Sequence, residues 1–587
     1  MDIISGFFSA IGDVLGGVAQ SAQSGELYTS VARWIFIALA LIIVLKSIIS
    51  LLRSRSPSEI WAYFHIGDYK NLPITHWENT IGRARSSDIE VDDRAVSRSH
   101  GILTRDNDGI WSYMDLGSSN GAYVDGQRLK PYRKVPIRPG TEITLGRTVC
   151  TLFPVSVQER MNNVRERKRD TELIRPWLSM IAITIFQLMT IIQLMISLGD
   201  KYDSGITVSY IGLIIIMWTY ILVLSGMRRK GFEIELIAFF LSGISLAVMA
   251  TCYPTQVFKQ FLGIALGVAL FVFMCAYLRD LDRTIQAKKI VCILAAALLL
   301  INLVFGENIN GQHNWIHIAG MSVQPSEIVK IAFIWVGAAT MEELYEPGNT
   351  LRFTLFSFFC FICLALMGDF GTAIIFFATF AVISFLRSGD FSKLLLLVGV
   401  AAVAGLLVIR FRSYIGDRID VWGHVWEHSD KLGYQQTRTM SAAASGGLVG
   451  EGAGNGWLKH VMASETDLVF GLVAEEWGLI IAVLAVLSIV TLSIFAYRSI
   501  LAGRSTYYTI AACAATTIFL LQTILNVFGS VDLLPLTGVT FPFVSAGGTS
   551  ILASWGMLAF VKAADTRQNA SLAVSLKDKG LGEEAGL

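Results

Sequence analysis

The chain has 587 residues, 53% of them hydrophobic and 16% charged, against roughly 25% charged in ordinary soluble domains. A mean hydropathy of +0.56 excludes a soluble globular protein of this size, and a formal net charge of +1 leaves no footprint for bulk nucleic-acid binding. The seven cysteines form no disulfide framework. Cys360 and Cys363 make a C-x-x-C inside an apolar run, where small packing residues are the plain reading.

Taken in chain order, residues 1–30 are weakly amphipathic and lack a basic stretch or cleavage site, so we read no removable signal peptide and expect an extracytoplasmic segment. An isolated transmembrane helix follows over 31–53, its apolar run at 34–52, with Lys46 near enough to one end to snorkel. Residues 60–155 change character. Short runs such as IWSYMDL (110–116) and TEITLGRTVCTLF (141–153) alternate with turn signals, the pattern of a β-sandwich. Gly82–Arg83, S-R-S-H at 97–100 and GSSNG at 117–121 followed by AYVDG fall in order along this stretch. Together they resemble the forkhead-associated (FHA) domain. The resemblance implies phosphothreonine-peptide binding by Arg83, Ser97 and Asn120, with Arg98 assisting. His100 and Gly121 would hold the loops in shape. A guanidinium and a hydroxyl converging from loops suit a dianionic phosphate. A degenerate sandwich used as a spacer or dimer contact is the plain alternative.

The charged linker 156–175 reads as a solvated connection, a helical strut or a lipid-headgroup contact, and Thr171 within it is a phosphosite candidate. Twelve further spans follow, at 177–198, 206–227, 232–252, 260–278, 290–306, 323–341, 353–368, 371–387, 393–410, 468–497, 506–528 and 545–561. Lys and Arg after the first span and before the second, and again at 228–230, 279–289, 387–393, 498–504 and 562–567, put the β-domain and C-terminus in the cytoplasm and the N-terminus outside. That threading leaves 307–322, the long 411–467 loop and 530–544 outside. A loop so long, carrying Trp422, Trp426, Tyr434 and Trp457, is expected to be ordered and functional.

The outer segments read NGQHNWIHIAGMSVQPSEIVK (310–330), GDFGTAII (368–375), GYQQTRTMSAAASGGLVGEGAG (433–454), TDLVFGLVAEEWG (466–478) and NVFGSVDLLPLTGVTFPFVSAGGTS (526–550). In that order they resemble the FtsW/RodA/SpoVE (SEDS) family across roughly 290–565. The fold expected is a multi-pass α-helical membrane protein. Its SEDS-like domain of about 12 helices spans 176–565, an all-β FHA sandwich lies between the first and second transmembrane helices, and a cytoplasmic tail covers 566–587.

The family resemblance implies a peptidoglycan glycosyltransferase that joins lipid II units into glycan strands outside the cytoplasmic membrane, for elongation, division or sporulation, beside a class B penicillin-binding protein. It implies catalysis by Asp467, as a base for the attacking hydroxyl; the plain alternative is a helix cap at Thr466–Asp467. Leaving-group charge calls for a positive partner, either a divalent metal ion or Arg and Lys side chains. Substrate contacts are assigned to Trp315, Glu327, Lys330, Arg418, Gln435, Arg438, Glu475 and Glu476; for Glu327 with Lys330 the alternative is a mere structural pair, and for the two adjacent glutamates a structural hydrogen-bonding role. Pro542, Ser545, Gly547 and Gly548 read as cavity-shaping positions. The sequence departs from the family pattern at Asn314, Met462–Ala463, Asp369 and Arg438, and Glu465 stands two residues from a missing carboxylate. A flippase with buried charge along a pathway and a non-catalytic scaffold are the competing functions.

Overall fold

The computed structural model describes residues 22–53, 60–67, 70–85, 87–106, 109–156, 158–159, 162, 175–309, 312–318, 321–342, 348–388, 391–411, 413–501, 505–565, 567 and 572. Residues 1–21, Thr171 with most of the 156–175 linker, and most of the 566–587 tail lie outside that set.

The β-domain is a two-sheet sandwich built from β1 (Ala62–Ile66) to β11 (Thr148–Pro154). One sheet runs β2-β1-β11-β10-β7-β8 and the other β4-β3-β5-β6-β9, where β2 is Lys70–Ile74, β3 Glu78–Gly82, β4 Ile89–Glu90, β5 Gly101–Arg105, β6 Trp111–Asp115, β7 Ala122–Val124, β8 Gln127–Arg128, β9 Val135–Ile137 and β10 Glu142–Leu145. Alternation along the strands fills the space between the sheets. Phe64 pairs in register with Leu152 and Leu103 with Tyr113, and all four are buried with Ile81 and Ile143. This is the FHA sandwich expected from the sequence, placed between the first helix and the rest of the bundle.

The bundle begins with α1 (Ala22–Arg53) and resumes with α2 (Trp177–Leu198), α3 (Ser204–Gly226), α4 (Glu233–Cys252), α5 (Val257–Tyr277), the short α6 (Leu281–Gln286) and α7 (Lys288–Phe305). Then come α8 (Pro325–Glu342), α9 (Asn349–Met367), α10 (Phe370–Ser388), α11 (Phe391–Phe411), α12 (Ser413–Val421) and α13 (Tyr434–Gly446). The last four are α14 (Val469–Trp477), α15 (Leu479–Leu501), α16 (Thr506–Ser530) and α17 (Gly548–Ala563). Among the described residues nine helices are long and apolar enough to cross a membrane, and α10 and α11 contribute shorter apolar stretches. Small residues let helices close up: a Cβ on Gly263 would sit 2.9 Å from the Gly548 Cα, and one on Gly267 3.1 Å from the Trp555 Cβ.

Two expectations need correction. The span read at 468–497 is two helices, α14 and α15, because Gly478 turns the chain at φ +86 and a side chain there would strike the Leu448 carbonyl. The 307–322 segment is not only loop; β12 (Glu307–Ile309), β13 (Gln312–Ile318) and β14 (Met321–Val323) form a small antiparallel sheet.

Contacts of α1 define the two ends of the bundle. At its start, the Tyr28 hydroxyl donates to the Met189 carbonyl at 2.8 Å and Thr29 to Gln193 at 3.1 Å. At its finish, the Ser50 hydroxyl donates to Glu233 at 2.5 Å. Glu233 also receives Arg567 at 3.1 Å, and Lys562 pairs with Glu235 at 2.9 Å. The β-domain sits at this second end, where Glu78 accepts from the Thr506 hydroxyl at 3.0 Å. The 449–478 segment sits at the first, its Gly452 against Thr29 and Gln193.

Candidate functional site

At the end of the bundle remote from the β-domain, the chain from Val461 to Leu468 folds into a tight turn. Ala463 takes a left-handed φ of +61, and its carbonyl accepts amides from Thr466, Asp467 and Leu468 at 3.3, 2.9 and 3.2 Å. The turn is fixed from several sides. The Asn526 amide donates to the carbonyls of Thr466, Asp467 and Val539 at 3.2, 3.1 and 2.8 Å. Ser545 donates to the Thr466 carbonyl at 2.7 Å and receives the Phe541 amide at 2.8 Å. Gln435 donates to the Met462 carbonyl at 2.9 Å, and the Ala546 amide reaches the Glu465 carbonyl at 2.8 Å.

This scaffold presents the Asp467 side chain. The residue keeps partial exposure while protein closes around its carboxyl. Gly538, at φ +70, allows the close approach: a Cβ there would stand 3.3 Å from Asp467 Oδ2. Burial pushes the carboxyl up to about 6; the Thr466 side chain and the Arg418 charge pull against it, and Glu465 and Asp369 add to it. The helix-cap alternative fails on geometry, since Leu468 is the N-cap of α14 and no side chain caps it. Arg418 is tethered by donating to the Leu536 carbonyl at 2.7 Å. Among the described residues no three His, Cys, Asp or Glu side chains form a metal-holding group; Arg418 is the positive charge whose field reaches Asp467.

The other sequence candidates divide by what they touch. Glu475 accepts the amides of Trp457 and Leu458 at 2.9 and 3.0 Å, and Glu476 accepts the Thr251 hydroxyl at 3.0 Å. Glu327 and Lys330 are buried together at 2.6 Å. Arg438 lies 5.1 Å from the Tyr434 ring centre. Trp315 stands half-buried on β13 opposite Glu307 and, among the described residues, makes no hydrogen bond or ring contact with the Asp467 turn. Asp369 caps α10 through the Thr372 amide at 3.1 Å and accepts Asn314 and Gln324, each at 3.3 Å. Asn314 thereby joins Gln324 and the Thr372 amide as a donor to the Asp369 carboxyl. Asn526 was not singled out from the sequence, because its role is to hold main-chain carbonyls; its one outward signal is a primary amide in an apolar helix.

In the β-domain the loops that carry the positions expected to contact phosphate are joined to one another. The Arg83 amide donates to the Ser97 carbonyl at 3.0 Å, the Ser119 amide to the Ser97 hydroxyl at 3.0 Å, and the Asn120 amide group to the Ala95 carbonyl at 2.7 Å. His100 is buried; its Nδ1 accepts the Ser97 amide at 3.1 Å, and burial pushes the imidazole down toward its neutral form. Arg83 and Arg98 are exposed beside these loops.

Fold and site together define a multi-pass cytoplasmic-membrane protein with an FHA sandwich set into its chain. The FtsW/RodA/SpoVE family model, described as "Cell cycle protein", matches residues 236–570, and the FHA domain model matches 79–146. The chain belongs to the FtsW/RodA/SpoVE family. It is 29% identical over 268 residues to the "Probable peptidoglycan glycosyltransferase FtsW" of Escherichia coli O6:H1, a match covering 43% of this chain and 64% of that relative. It is 26% identical over 325 residues to the "Peptidoglycan glycosyltransferase RodA" of Mycobacterium bovis, covering 52% of this chain and 69% of that one. A chain from a solved peptidoglycan synthase complex overlays at a TM-score of 0.47 with 22% identity, over 56% of this chain and 96% of that one.

Proposed function

We propose that this chain is a peptidoglycan glycosyltransferase that polymerises lipid II at the outer face of the cytoplasmic membrane, with its FHA domain reading a phosphothreonine partner in the cytoplasm. The observation that carries the reading is the Asp467 carboxyl, held by a pinned turn at the bundle end opposite the FHA domain, partly exposed and beside Arg418. In the reaction the acceptor hydroxyl oxygen bonds to the anomeric carbon of the donor sugar, and the bond from that carbon to the lipid pyrophosphate breaks. Asp467 takes the hydroxyl proton, and the pyrophosphate departs with the electron pair toward the positive charge of Arg418. Tethering through main-chain bonds keeps the base in place before the substrate arrives.

In this reading the N-terminus and the 413–478 segment face outward, the FHA domain and C-terminus lie inside, and a class B penicillin-binding protein cross-links the product. Trp315 and Arg438 remain substrate-contact proposals. Glu475 supports the 449–458 segment through the Trp457 and Leu458 amides, and Glu476 joins the Gly454 amide of that segment to Thr251 of α4. The paired state of Lys330 favours this reading over a flippase, which requires a charge free to meet cargo. The test is polymerisation by the purified full chain, with and without a transpeptidase partner, supplied with lipid II. Glycan strands are the expected product; none under any pairing overturns the proposal.

A further inference from the structure

We infer that the FHA domain's partner is a soluble protein segment whose phosphothreonine is flanked by acidic residues; this rests on the reading of those loops as a phosphothreonine site. The loops at 83–85 with 87–88, 91–100 and 117–121 are tied into one crown by the Arg83–Ser97, Ser119–Ser97 and Asn120–Ala95 bonds, and the 145–148 turn joins it through the Arg147 amide, 2.8 Å from Asp93. The crown's charges are sorted by use. Asp88 is occupied by the Thr80 amide and hydroxyl at 2.8 and 2.7 Å. Asp93 is occupied by the Ala95 and Arg147 amides and the Thr148 hydroxyl, and backbone hydrogen bonds hold its carboxyl below the usual range. Asp115 is buried beneath Ser118.

The arginines are placed differently. Arg83, Arg85, Arg94, Arg98 and Arg128 are all exposed. Among the described residues, no ion pair holds any of the five. Arg128 leans on the crown, its Nε 2.9 Å from where a Cβ on Gly121 would lie. Exposed Asp92 and half-buried Glu90 are the remaining carboxylates of the crown. A phosphothreonine brings about two negative charges; in this reading Arg83 and Arg98 serve the phosphate, and exposed Arg85, Arg94 and Arg128, which no ion pair holds among the described residues, are left to meet charges beside it. Acidic neighbours in the peptide pair with them; basic neighbours are repelled.

Orientation selects a soluble segment over the bilayer. The crown lies at the Gly82 end of β3, and the contact with the bundle is at the Glu78 end, where Glu78 meets Thr506. Arg105, at the same end, stacks on Trp61 and Trp77 at 4.5 and 5.1 Å. Four residue steps along the strand separate the ends by about 13 Å, which turns the crown away from the bundle.

The experiment uses the full chain in nanodiscs of zwitterionic lipid and three fluorescent phosphothreonine peptides that differ only in acidic, neutral or basic flanks, with unphosphorylated controls. The acidic peptide should bind roughly tenfold tighter than the neutral one at low salt, two to three exposed pairs contributing a few-fold each, and the gap should close as salt rises. Arg85→Gln with Arg94→Gln should flatten the preference while phosphothreonine binding persists; Arg83→Ala should abolish both. Equal binding of acidic and basic peptides overturns the inference and leaves the phosphothreonine reading standing. No phosphorylation-dependent binding to any peptide overturns that reading itself. Displacement of the acidic peptide by vesicles rich in anionic phospholipid, with no flank preference, assigns the crown to the membrane and also overturns the inference.

Discussion

Asn526→Ala is the perturbation that separates holding the Asp467 turn from performing the chemistry. The buried Asn526 amide serves three main-chain carbonyls. Ser545 continues to serve the Thr466 carbonyl after truncation, so the carbonyls of Asp467 and Val539 lose this donor. At about 1 kcal/mol each, the loss of stability is about 2 kcal/mol. The effect on rate should exceed that. Asp467 and the 536–545 segment are joined through this amide, and a displacement of about 1 Å of a reacting group costs roughly 10²-fold. Steady-state polymerisation of lipid II should therefore show kcat falling by about that factor with KM little changed, since Asn526 touches protein rather than substrate. Asn526→Asp keeps the shape but carries no donor, and should resemble the alanine variant rather than wild type. A variant that loses thermal stability yet keeps its kcat would refute the positioning argument.

Other outcomes follow from the same geometry. Because burial raises the Asp467 carboxyl to about 6 from an ordinary 3.8, polymerisation should fall as pH drops through about 6, and Glu465→Gln should move that limb to lower pH; a limb near 4 in wild type would contradict the enclosed site. The same shift has a consequence for stability: the fold binds this proton more tightly than the unfolded chain does. Its contribution is full below about pH 4 and lost as pH rises through about 6, so Asp467→Asn should raise thermal stability at pH 7.5, measured by scanning fluorimetry. Arg418→Ala should lower kcat and shift the acid limb upward, with Arg418→Lys recovering part of both, read from pH–rate profiles. Lys330→Met should destabilise by roughly 3–5 kcal/mol by stranding Glu327, and the double change with Glu327→Gln should restore the folded yield; a double variant that folds but makes no product would instead show that the pair serves the reaction.

Much of this architecture was legible in the residues. Apolar runs of membrane-crossing length and their flanking arginines marked the helices, and period-two alternation with Gly-Ser-Asn turns marked the sandwich, because each signal is local. The break at Gly478 was not legible: flanked on both sides by apolar residues, it reads as a tolerated small residue until Leu448 comes within 2.3 Å of the position a Cβ would take. The 307–323 sheet was hidden for a related reason, since its strands are short and its Trp315–Glu307 register crosses a bulge. Within the site, Asp467 was conspicuous as a charge at a helix entry. Asn526, which holds it, was not, because it acts on carbonyls 13 to 60 positions away; Ser545 read as a cavity-shaping position, and the Thr466 carbonyl it holds, 79 positions away, was hidden. At Glu475, charge type left substrate contact and structural hydrogen bonding both open, and its two main-chain amide partners favour the structural one.

The central claim is that Asp467 is the base for glycan polymerisation, and the most direct measurement is lipid II turnover by Asp467→Asn in the full chain beside wild type, with folding of both confirmed by thermal unfolding. The account predicts strand synthesis by wild type and loss of roughly 10²–10⁴-fold in the asparagine variant, with Asp467→Glu retaining a part. An asparagine variant that polymerises at the wild-type rate would contradict it.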